Sequence, residues 1–383
     1  MIALLTGYSY GQLGLSFRGN GGSFTYIQKG FGRPGIAGVA GWLLVAGYVG
    51  TLALYATAFG DYGATFFVSG GTVGWLGGLI ATVGLLVFLG VNLFGAKLSG
   101  GVELGVVGTK LAILGVFAAM GLWGIHMKHF EPIFNRGLIP PLSAIALIFV
   151  AYEGFELIPN AVDEMKYAER DLKRALMIAI SATTLIYVVV AVAALGNLTR
   201  AEILQDKEYV LAVAARPTLG HAGFVLIAVA AVLSTASAIN ATLFGAGRLA
   251  MVMAEHRALP QIFAKKEEGR GVPYAALLVL TGLSVAFTLT ADLAVISSFA
   301  SATFLLIFTM VNVSALRLAK EIKLQRWVPL LAAILCGASF AGLLWHDWTS
   351  DRTSLAYLLG FYGFAVAAQA VLRWSRRRSE LAA

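Results

Sequence analysis

Apolar segments long enough to cross a lipid bilayer recur along almost the whole sequence. A helix needs about 20 apolar residues to span the hydrocarbon core. The segments that approach this length cover 1–17, 35–59, 73–94, 101–124, 138–162, 174–196, 222–254, 273–290, 295–317, 327–345 and 353–372. They are too long for barrel strands, and backbone groups that face lipid must be satisfied within their own helix. The sequence therefore predicts an all-α, polytopic membrane protein with about eleven transmembrane helices.

The composition excludes most other classes of protein. Hydrophobic residues make up 58% of the chain and charged residues 13%, whereas soluble domains carry about 25% charged residues. The net charge of +8 would suit a nucleic-acid partner, but the basic residues fall in short loops between apolar segments, so no nucleic acid is expected. The single cysteine, Cys336, has no partner for an intrachain disulfide or a cysteine-based metal site. We expect one transmembrane domain over residues 1–383, with no metal and no cofactor.

The distribution of Lys and Arg predicts the orientation in the membrane. Most of the 28 basic residues lie in one set of loops, at 18–33, 166–174, 248–270 and 317–326, and in the C-terminal sequence RWSRRRS. Cytoplasmic loops are enriched in Lys and Arg, so residues 373–383 are predicted to form a basic cytoplasmic tail of a cell (plasma or inner) membrane protein. An odd number of spans then places Met1 outside, within an apolar run, and we expect a further helix to precede it.

The segment FVAYEGFELIPN, residues 149–160, carries two acids inside an apolar span. Each ionised carboxylate at mid-membrane costs about 2.5–3.5 kcal/mol on insertion scales. Gly154 weakens the helix between the two acids, Glu153 and Glu156, and Pro159 removes a backbone donor just after them. Within a membrane such a break is tolerated where it lines a cavity. The alternative is that one acid reaches the interface or forms a structural pair.

A broken helix of this kind offers complementary groups for a zwitterion. Freed backbone carbonyls suit an ammonium group, and the N-terminus of a half-helix suits a carboxylate. A carboxyl group removed from water also favours its protonated form and can carry a proton. The sequence thus favours a zwitterionic substrate at the break around Glu153, Gly154 and Glu156.

Other polar residues at membrane depth are Lys110 and the cluster Ser234, Thr235 and Ser237. Lys110 lies about 13 Å along its predicted helix, at about 1.5 Å per residue. It is interpreted as a proton site or a fixed substitute for a cation, with snorkelling to the interface as the alternative. The three hydroxyls either bond their own helix backbone or face Lys110 or a bound cation.

Several motifs together resemble an amino acid permease of the amino acid–polyamine–organocation (APC) superfamily. GGSFTYIQKGFG resembles the loop after the family's second helix, and FVAYEGFE with DEMKYAERDLKRA resembles the sixth helix and the loop after it. LSTASAINATLFGAGRLAMVMAEHRALP resembles the eighth helix. The similarity extends over nearly the whole chain.

The resemblance implies an inverted-repeat (LeuT-like) fold of ten core helices, with the first helix missing here. Residues 1–317 would then form the remaining core and 327–372 two additional helices. It implies that Tyr152, Glu153, Gly154, Phe155 and Glu156 form the break in the sixth helix that binds substrate, with Glu156 as a gate. It also implies that Lys110 stands where relatives hold sodium, and that Ser234, Thr235 and Ser237 face it from the eighth helix.

We therefore predict a secondary transporter that is not an enzyme and has no catalytic residue. It would move an amino acid or related amine by symport or exchange driven by a proton gradient, with sodium less favoured, and Glu156 and Lys110 would couple the proton. The alternative is an amino-acid sensor or accessory membrane subunit, although such proteins usually carry a large extra-membrane domain. A channel would need a ring of polar pore residues. A membrane enzyme would need a catalytic cluster at depth, and the five histidines lie in loops or near span ends.

Overall fold

The structure is a computed structural model that describes residues 1–19, 21–68, 74–95, 100–131, 144–206, 208–267, 269 and 271–382. The α-helices it bounds are α1 (Ile2–Ser16), α2 (Gly22–Phe31), α3 (Pro34–Ala64), α4 (Gly74–Leu93), α5 (Gly100–Trp123), α6 (Ala168–Asn197), α7 (Arg200–Gln205), α8 (Val210–Ala214), α9 (Arg216–Glu255), α10 (Tyr274–Thr290), α11 (Leu293–Arg317), α12 (Trp327–Ser350) and α13 (Arg352–Ala382). Shorter 3₁₀ helices cover Met127–Phe130, Ile148–Tyr152, Phe155–Glu164 and Gln261–Ala264. Within these described ranges no residue is in a β-strand.

The lengths and compositions of the helices confirm an all-α, polytopic membrane protein. In the described part of the chain, eight helices are long and apolar enough to cross a membrane, namely α3, α4, α5, α6, α9, α11, α12 and α13. Two further predicted spans correspond to shorter helices, α1 with 15 residues and α10 with 17. Large apolar side chains are exposed on the outside, for example Trp75 at 79% and Trp123 at 93%, as expected for a surface that meets lipid.

The predicted span at 138–162 is not a continuous α-helix. Residues 132–143 lie outside the described residues, and 144–147 are helical. The two 3₁₀ helices Ile148–Tyr152 and Phe155–Glu164 follow, separated by Glu153 and Gly154. We refer to residues 144–164 as the discontinuous segment.

Two helices extend beyond the spans predicted from hydropathy. α9 begins at Arg216 rather than near 222 and is kinked at Gly220, which has a φ of 64°. The predicted basic tail continues α13 as helix to Ala382. On this extension the guanidinium of Arg378 lies 3.8 Å from the ring centre of Trp374, one helical turn earlier, and such i,i+4 pairs stabilise an exposed helix.

Helices α3 and α11 form the centre of the bundle. Both are buried along most of their length, and they pack closely at Gly47, where an added Cβ would lie 2.5 Å from the ring of Phe304. Phe304 and Phe308 continue the aromatic core toward the discontinuous segment. The central position of α3 and α11 determines which side chains reach the break in that segment.

Candidate functional site

The helical geometry of the discontinuous segment is interrupted at Glu153 and Gly154. Glu153 has an extended backbone, with φ −65° and ψ 155°. Gly154 follows with φ 109° and ψ −28°, a conformation that residues with a Cβ rarely adopt. Pro159 lies inside the second 3₁₀ helix, where it lacks a backbone donor. Gly154 therefore provides the break, and Pro159 keeps the following turns from forming a regular α-helix.

Hydroxyl groups from neighbouring helices bond the backbone groups that the break releases. The Ser301 hydroxyl on α11 accepts from the backbone N–H of Val150 at 3.0 Å and donates to the carbonyl of Leu147 at 2.6 Å. From the opposite side, Tyr187 on α6 donates to the carbonyl of Ala151 at 2.6 Å. Because unsatisfied backbone groups are costly inside a membrane, these bonds hold the segment in its broken conformation.

Glu156 is buried at the start of the second 3₁₀ helix, with 1% of its surface exposed. Its Oε2 accepts a hydrogen bond from the backbone N–H of Gly154 at 2.6 Å, and its Oε1 lies 3.5 Å from the hydroxyl of Tyr48. The preceding Phe155 packs against Tyr10 and Phe308 with ring centres 5.7 Å and 5.2 Å apart. The Glu156 carboxyl is thus attached directly to the backbone at the break.

Glu153 points toward α3. The Oγ1 of Thr51 lies 2.7 Å and 2.6 Å from its two carboxyl oxygens, and 3.1 Å from the carbonyl of Gly47. A hydroxyl carries one hydrogen, so the ionised carboxylate and the Gly47 carbonyl compete for it. A protonated Glu153 would instead donate to Thr51 and leave the Thr51 hydrogen for Gly47.

Helix α3 supplies a hydroxyl to each of the two acids. Tyr48 and Thr51 are three residues apart, and such residues share one face of a helix. Tyr48 is the neighbour of Glu156 and Thr51 the neighbour of Glu153. Movement of α3 relative to the discontinuous segment would therefore change the environment of both carboxyl groups together.

A cavity of ≈ 270 Å³ lies between the break and α6. Among the predicted site residues, Tyr152, Glu153, Gly154 and Phe155 line it, whereas Glu156 lies outside its lining. On the side of α6 it is lined by Ala179, Ile180, Thr183 and Tyr187. Glu153 is the charged residue of this lining. The cavity thus lies beside a carboxyl group, a broken backbone and several hydroxyls.

Lys110 and the predicted hydroxyl cluster form a second group, between α5 and α9. The Lys110 Nζ donates to the hydroxyl of Ser237 at 3.2 Å, and Ser237 donates to the carbonyl of Ser234 at 3.1 Å. Thr235 bonds within its own helix, to the carbonyl of Ala231 at 2.8 Å. Ser237 is thus the member of the cluster that contacts Lys110, while the Thr235 hydroxyl satisfies the backbone.

Several residues at the break were not singled out from the sequence. Tyr48, Thr51, Tyr187 and Ser301 all bond the discontinuous segment. Hydroxyl residues are frequent along these helices, and their side chains commonly bond their own backbone. The three-residue spacing of Tyr48 and Thr51 within a buried helix is the one sequence signal that marks a shared polar face.

Comparison with known proteins shows the family of this chain. The sequence model of the amino acid permease family matches residues 1–371. An uncharacterized protein of Methanocaldococcus jannaschii is 32% identical, over 92% of this chain and 80% of its own length. The inner membrane transport protein YbaT of Escherichia coli is 29% identical over 94% of this chain and 83% of its own length.

A third relative is more distant and shorter in its overlap. The serine/threonine exchanger SteT of Bacillus subtilis is 28% identical over 70% of this chain and 60% of its own length. The family match covers nearly the whole chain, and the relatives that have a described activity are transporters. This multi-pass membrane protein belongs to the amino acid permease family.

Proposed function

We propose that the chain is a proton-coupled secondary transporter of an amino acid or a related amine in the cell membrane, with its C-terminus in the cytoplasm. The observation that carries the proposal is the pairing of two carboxyl groups with a broken helix beside a cavity of ≈ 270 Å³. Acids at membrane depth mark substrate and proton pathways in transporters. A helix interrupted at the same depth is a common place for substrate to bind.

Glu156 is proposed as the residue that couples proton movement to substrate transport or gates the substrate site. Its carboxylate accepts the hydrogen bond from the backbone N–H of Gly154. A protonated carboxyl group has fewer acceptor sites and is a weaker partner for that N–H than the ionised form. Uptake of a proton would therefore loosen the backbone at the break and connect protonation with a change in the helix that binds substrate.

Glu153 is proposed to set the charge of the site and the choice of substrate. It lines the cavity, and its carboxyl can pair with the ammonium group of an amino acid or amine. The Thr51 hydroxyl, which contacts both carboxyl oxygens, can hold the group in its ionised or its protonated form. The charge that Glu153 presents to the cavity would then decide which substrates bind.

Lys110 is proposed as the protonatable substitute for a cation between α5 and α9. Its ammonium donates a hydrogen bond to Ser237. With a fixed positive group in this place, a sodium ion is not required there. The energy source favoured by this arrangement is the proton gradient.

The names of the relatives guide the choice of the first substrates. SteT is named as a serine/threonine exchanger, so labelled serine and threonine are the first probes, followed by the other amino acids and simple amines. Exchange and symport are distinguished by loading the vesicles with unlabelled substrate. Acceleration by internal substrate would indicate exchange.

Uptake into proteoliposomes, with the external pH either lower than or equal to the internal pH, tests the proposal. We expect the pH gradient to drive accumulation of substrate by the wild type. In Glu156→Gln the gradient should have no effect, because the amide cannot titrate. Asp347→Asn is the matched control, since Asp347 is a buried acid on α12 that accepts from Ser298 at 2.7 Å and lies outside the site. Binding of substrate without any uptake would instead identify a sensor or accessory subunit. Uptake that ignores both the gradient and Glu156→Gln would refute the coupling mechanism.

A further inference from the structure

An apolar groove of ≈ 800 Å³ lies between α3, α10 and α13 and shares no lining residue with the cavity beside the break. Its lining includes Trp42 and Val45 of α3, Leu283 of α10, and Phe361 and Phe364 of α13. These helices are membrane spans or apolar helices of the membrane domain. The groove therefore faces the hydrocarbon region, where the available small occupants are acyl chains.

Aromatic rings line the end of the groove nearest the cytoplasm. Trp42 packs edge-on against Phe364 with ring centres 5.5 Å apart, and against Phe263 at 6.4 Å. Phe361 extends the row along α13, 6.0 Å from Phe364. A flexible chain lying in this groove would contact ring faces and edges over most of its length.

Helices α3 and α13 are antiparallel, and their contact continues from this aromatic cluster toward the cytoplasm. Gln369 lies against Gly38, and the guanidinium of Arg373 lies against Gly35 at the start of α3. One turn further, Arg376 donates to the carbonyl of Arg257. This pairing of α3 with α13 places the guanidinium of Arg373 at the cytoplasmic end of the two helices, which also form the groove.

Further basic residues lie at this end. Lys265 and Lys266 are exposed and come directly after the 3₁₀ helix Gln261–Ala264, which contributes Phe263 to the groove. Glu267 follows them and partly offsets their charge, while Arg373 adds to it. Basic pockets between membrane helices on the cytoplasmic side bind anionic lipid headgroups.

The distance between the basic end and the far end of the groove matches one leaflet of a bilayer. Tyr357, at the outer end, is sixteen residues from Arg373 along α13, or about 24 Å at ~1.5 Å per residue. One leaflet with its headgroups is about 20–22 Å thick, half of a bilayer of about 40–45 Å. A single phospholipid can therefore reach from the cations to the end of the apolar groove.

We propose that this groove is a binding site for an anionic phospholipid of the cytoplasmic leaflet. Its headgroup phosphate would pair with Arg373, Lys265 and Lys266, and one acyl chain would lie along Phe364, Phe361 and Tyr357. The bound lipid would hold α13 against α3, the helix that carries Tyr48 and Thr51.

Native mass spectrometry of the full chain, titrated with phosphatidylglycerol or phosphatidylcholine, tests the proposal. Gly360→Phe fills the groove, because Gly360 lines it and an added Cβ there meets no atom within 4 Å. Gly342→Phe on α12 is the matched control, since Gly342 is exposed and its Cβ would also meet no atom within 4 Å. We expect a one-lipid adduct that prefers phosphatidylglycerol in the wild type and in Gly342→Phe, and that is lost in Gly360→Phe.

A charge variant provides a second test that does not depend on filling the groove. Each basic residue near an anionic surface contributes about 1 kcal/mol, so Arg373→Gln should weaken phosphatidylglycerol binding about fivefold. Phosphatidylcholine binding should weaken less, because its choline cation already neutralises the phosphate. Equal binding of the two lipids by the wild type would overturn the proposal. So would equal adducts in the two glycine variants, or the loss of a dimer instead of a lipid in Gly360→Phe.

Discussion

The hydroxyl of Thr51 is expected to stabilise the protein through its contact with Glu153. Thr51→Val keeps the shape of the side chain and removes the oxygen that lies 2.7 Å and 2.6 Å from the carboxyl oxygens. A buried polar group that loses its partner costs about 1–3 kcal/mol. The other contact, with the carbonyl of Gly47 at 3.1 Å, is a bond of Thr51 to its own helix. We therefore expect the free energy of unfolding to fall by about 1–3 kcal/mol.

Unfolding in mixed micelles titrated with a denaturing detergent, followed by circular dichroism, measures this change. The same substitution is then made in a Glu153→Leu background, where the partner is absent. If the contact is responsible, Thr51→Val should change the free energy of unfolding by no more than about 0.5 kcal/mol there, the usual limit for independent sites.

Thr57 offers a matched control on the same helix. Its hydroxyl is buried and has no hydrogen-bond partner among the described residues. Thr57→Val should therefore leave the free energy of unfolding unchanged or raise it, because an unsatisfied polar group is replaced by an apolar one. Equal destabilisation by the two valine variants would refute the reasoning.

Two further substitutions test the break and the start of α7. Gly154→Ala should lower the free energy of unfolding by about 1–3 kcal/mol, because Gly154 has a φ of 109° although its Cβ would meet no atom within 4 Å. Gly282→Ala, equally unobstructed but inside α10, should be neutral or stabilising in the same detergent-titration assay, and a similar loss in both would contradict this. At the start of α7, Thr199 is the N-cap residue and exchanges hydrogen bonds with Glu202, which lower the pKa of Glu202. The ionised Glu202 therefore contributes to stability above its pKa in the unfolded state, about 4.3. This contribution is lost as the pH falls through its lower pKa in the folded state. Hydrogen exchange of residues 199–206, corrected for intrinsic rates, should rise on acidification in the wild type and change less in Glu202→Gln, and an equal rise in both would count against the cap.

The membrane fold could be predicted because the length of an apolar segment has a direct physical meaning. A run such as 35–59 is long enough to cross the hydrocarbon core, and α3 covers it as Pro34–Ala64. The ends of the helices were less predictable. Hydropathy marks where apolar residues stop, whereas α9 begins at Arg216 and α13 continues to Ala382, because helices can extend into water with polar residues.

The break was indicated by residues whose backbone preferences are local. Gly154 tolerates a positive φ and Pro159 lacks an N–H, so their effect can be predicted without knowledge of their neighbours. The partners of the two acids depend on packing and could not be predicted in this way. Thr51 and Thr57 lie on the same apolar helix, and one contacts Glu153 while the other has no partner among the described residues.

The placement of Lys110 shows the same limit. The sequence indicated a charged group at depth and a hydroxyl cluster, but each of the three hydroxyls had two possible partners. In the structure Ser237 bonds Lys110, and Thr235 bonds the carbonyl of Ala231. The choice depends on how α9 is rotated against α5, which residue type alone does not determine. The roles proposed for these residues in transport stay predictions.

The central claim is that water and solute reach the break beside Glu153, and cysteine labelling tests it most directly. In a Cys336→Ala background, which removes the single native thiol, a cysteine is placed at Thr183 or at Leu185 of α6. Thr183 lines the cavity, whereas Leu185 is 66% exposed on the outer surface, and a thiol reacts as the thiolate, which requires a polar environment. A charged, membrane-impermeant methanethiosulfonate should label Thr183→Cys, more slowly when substrate is present, and should leave Leu185→Cys unmodified. Failure to label Thr183→Cys, or equal labelling of both positions, would contradict the account.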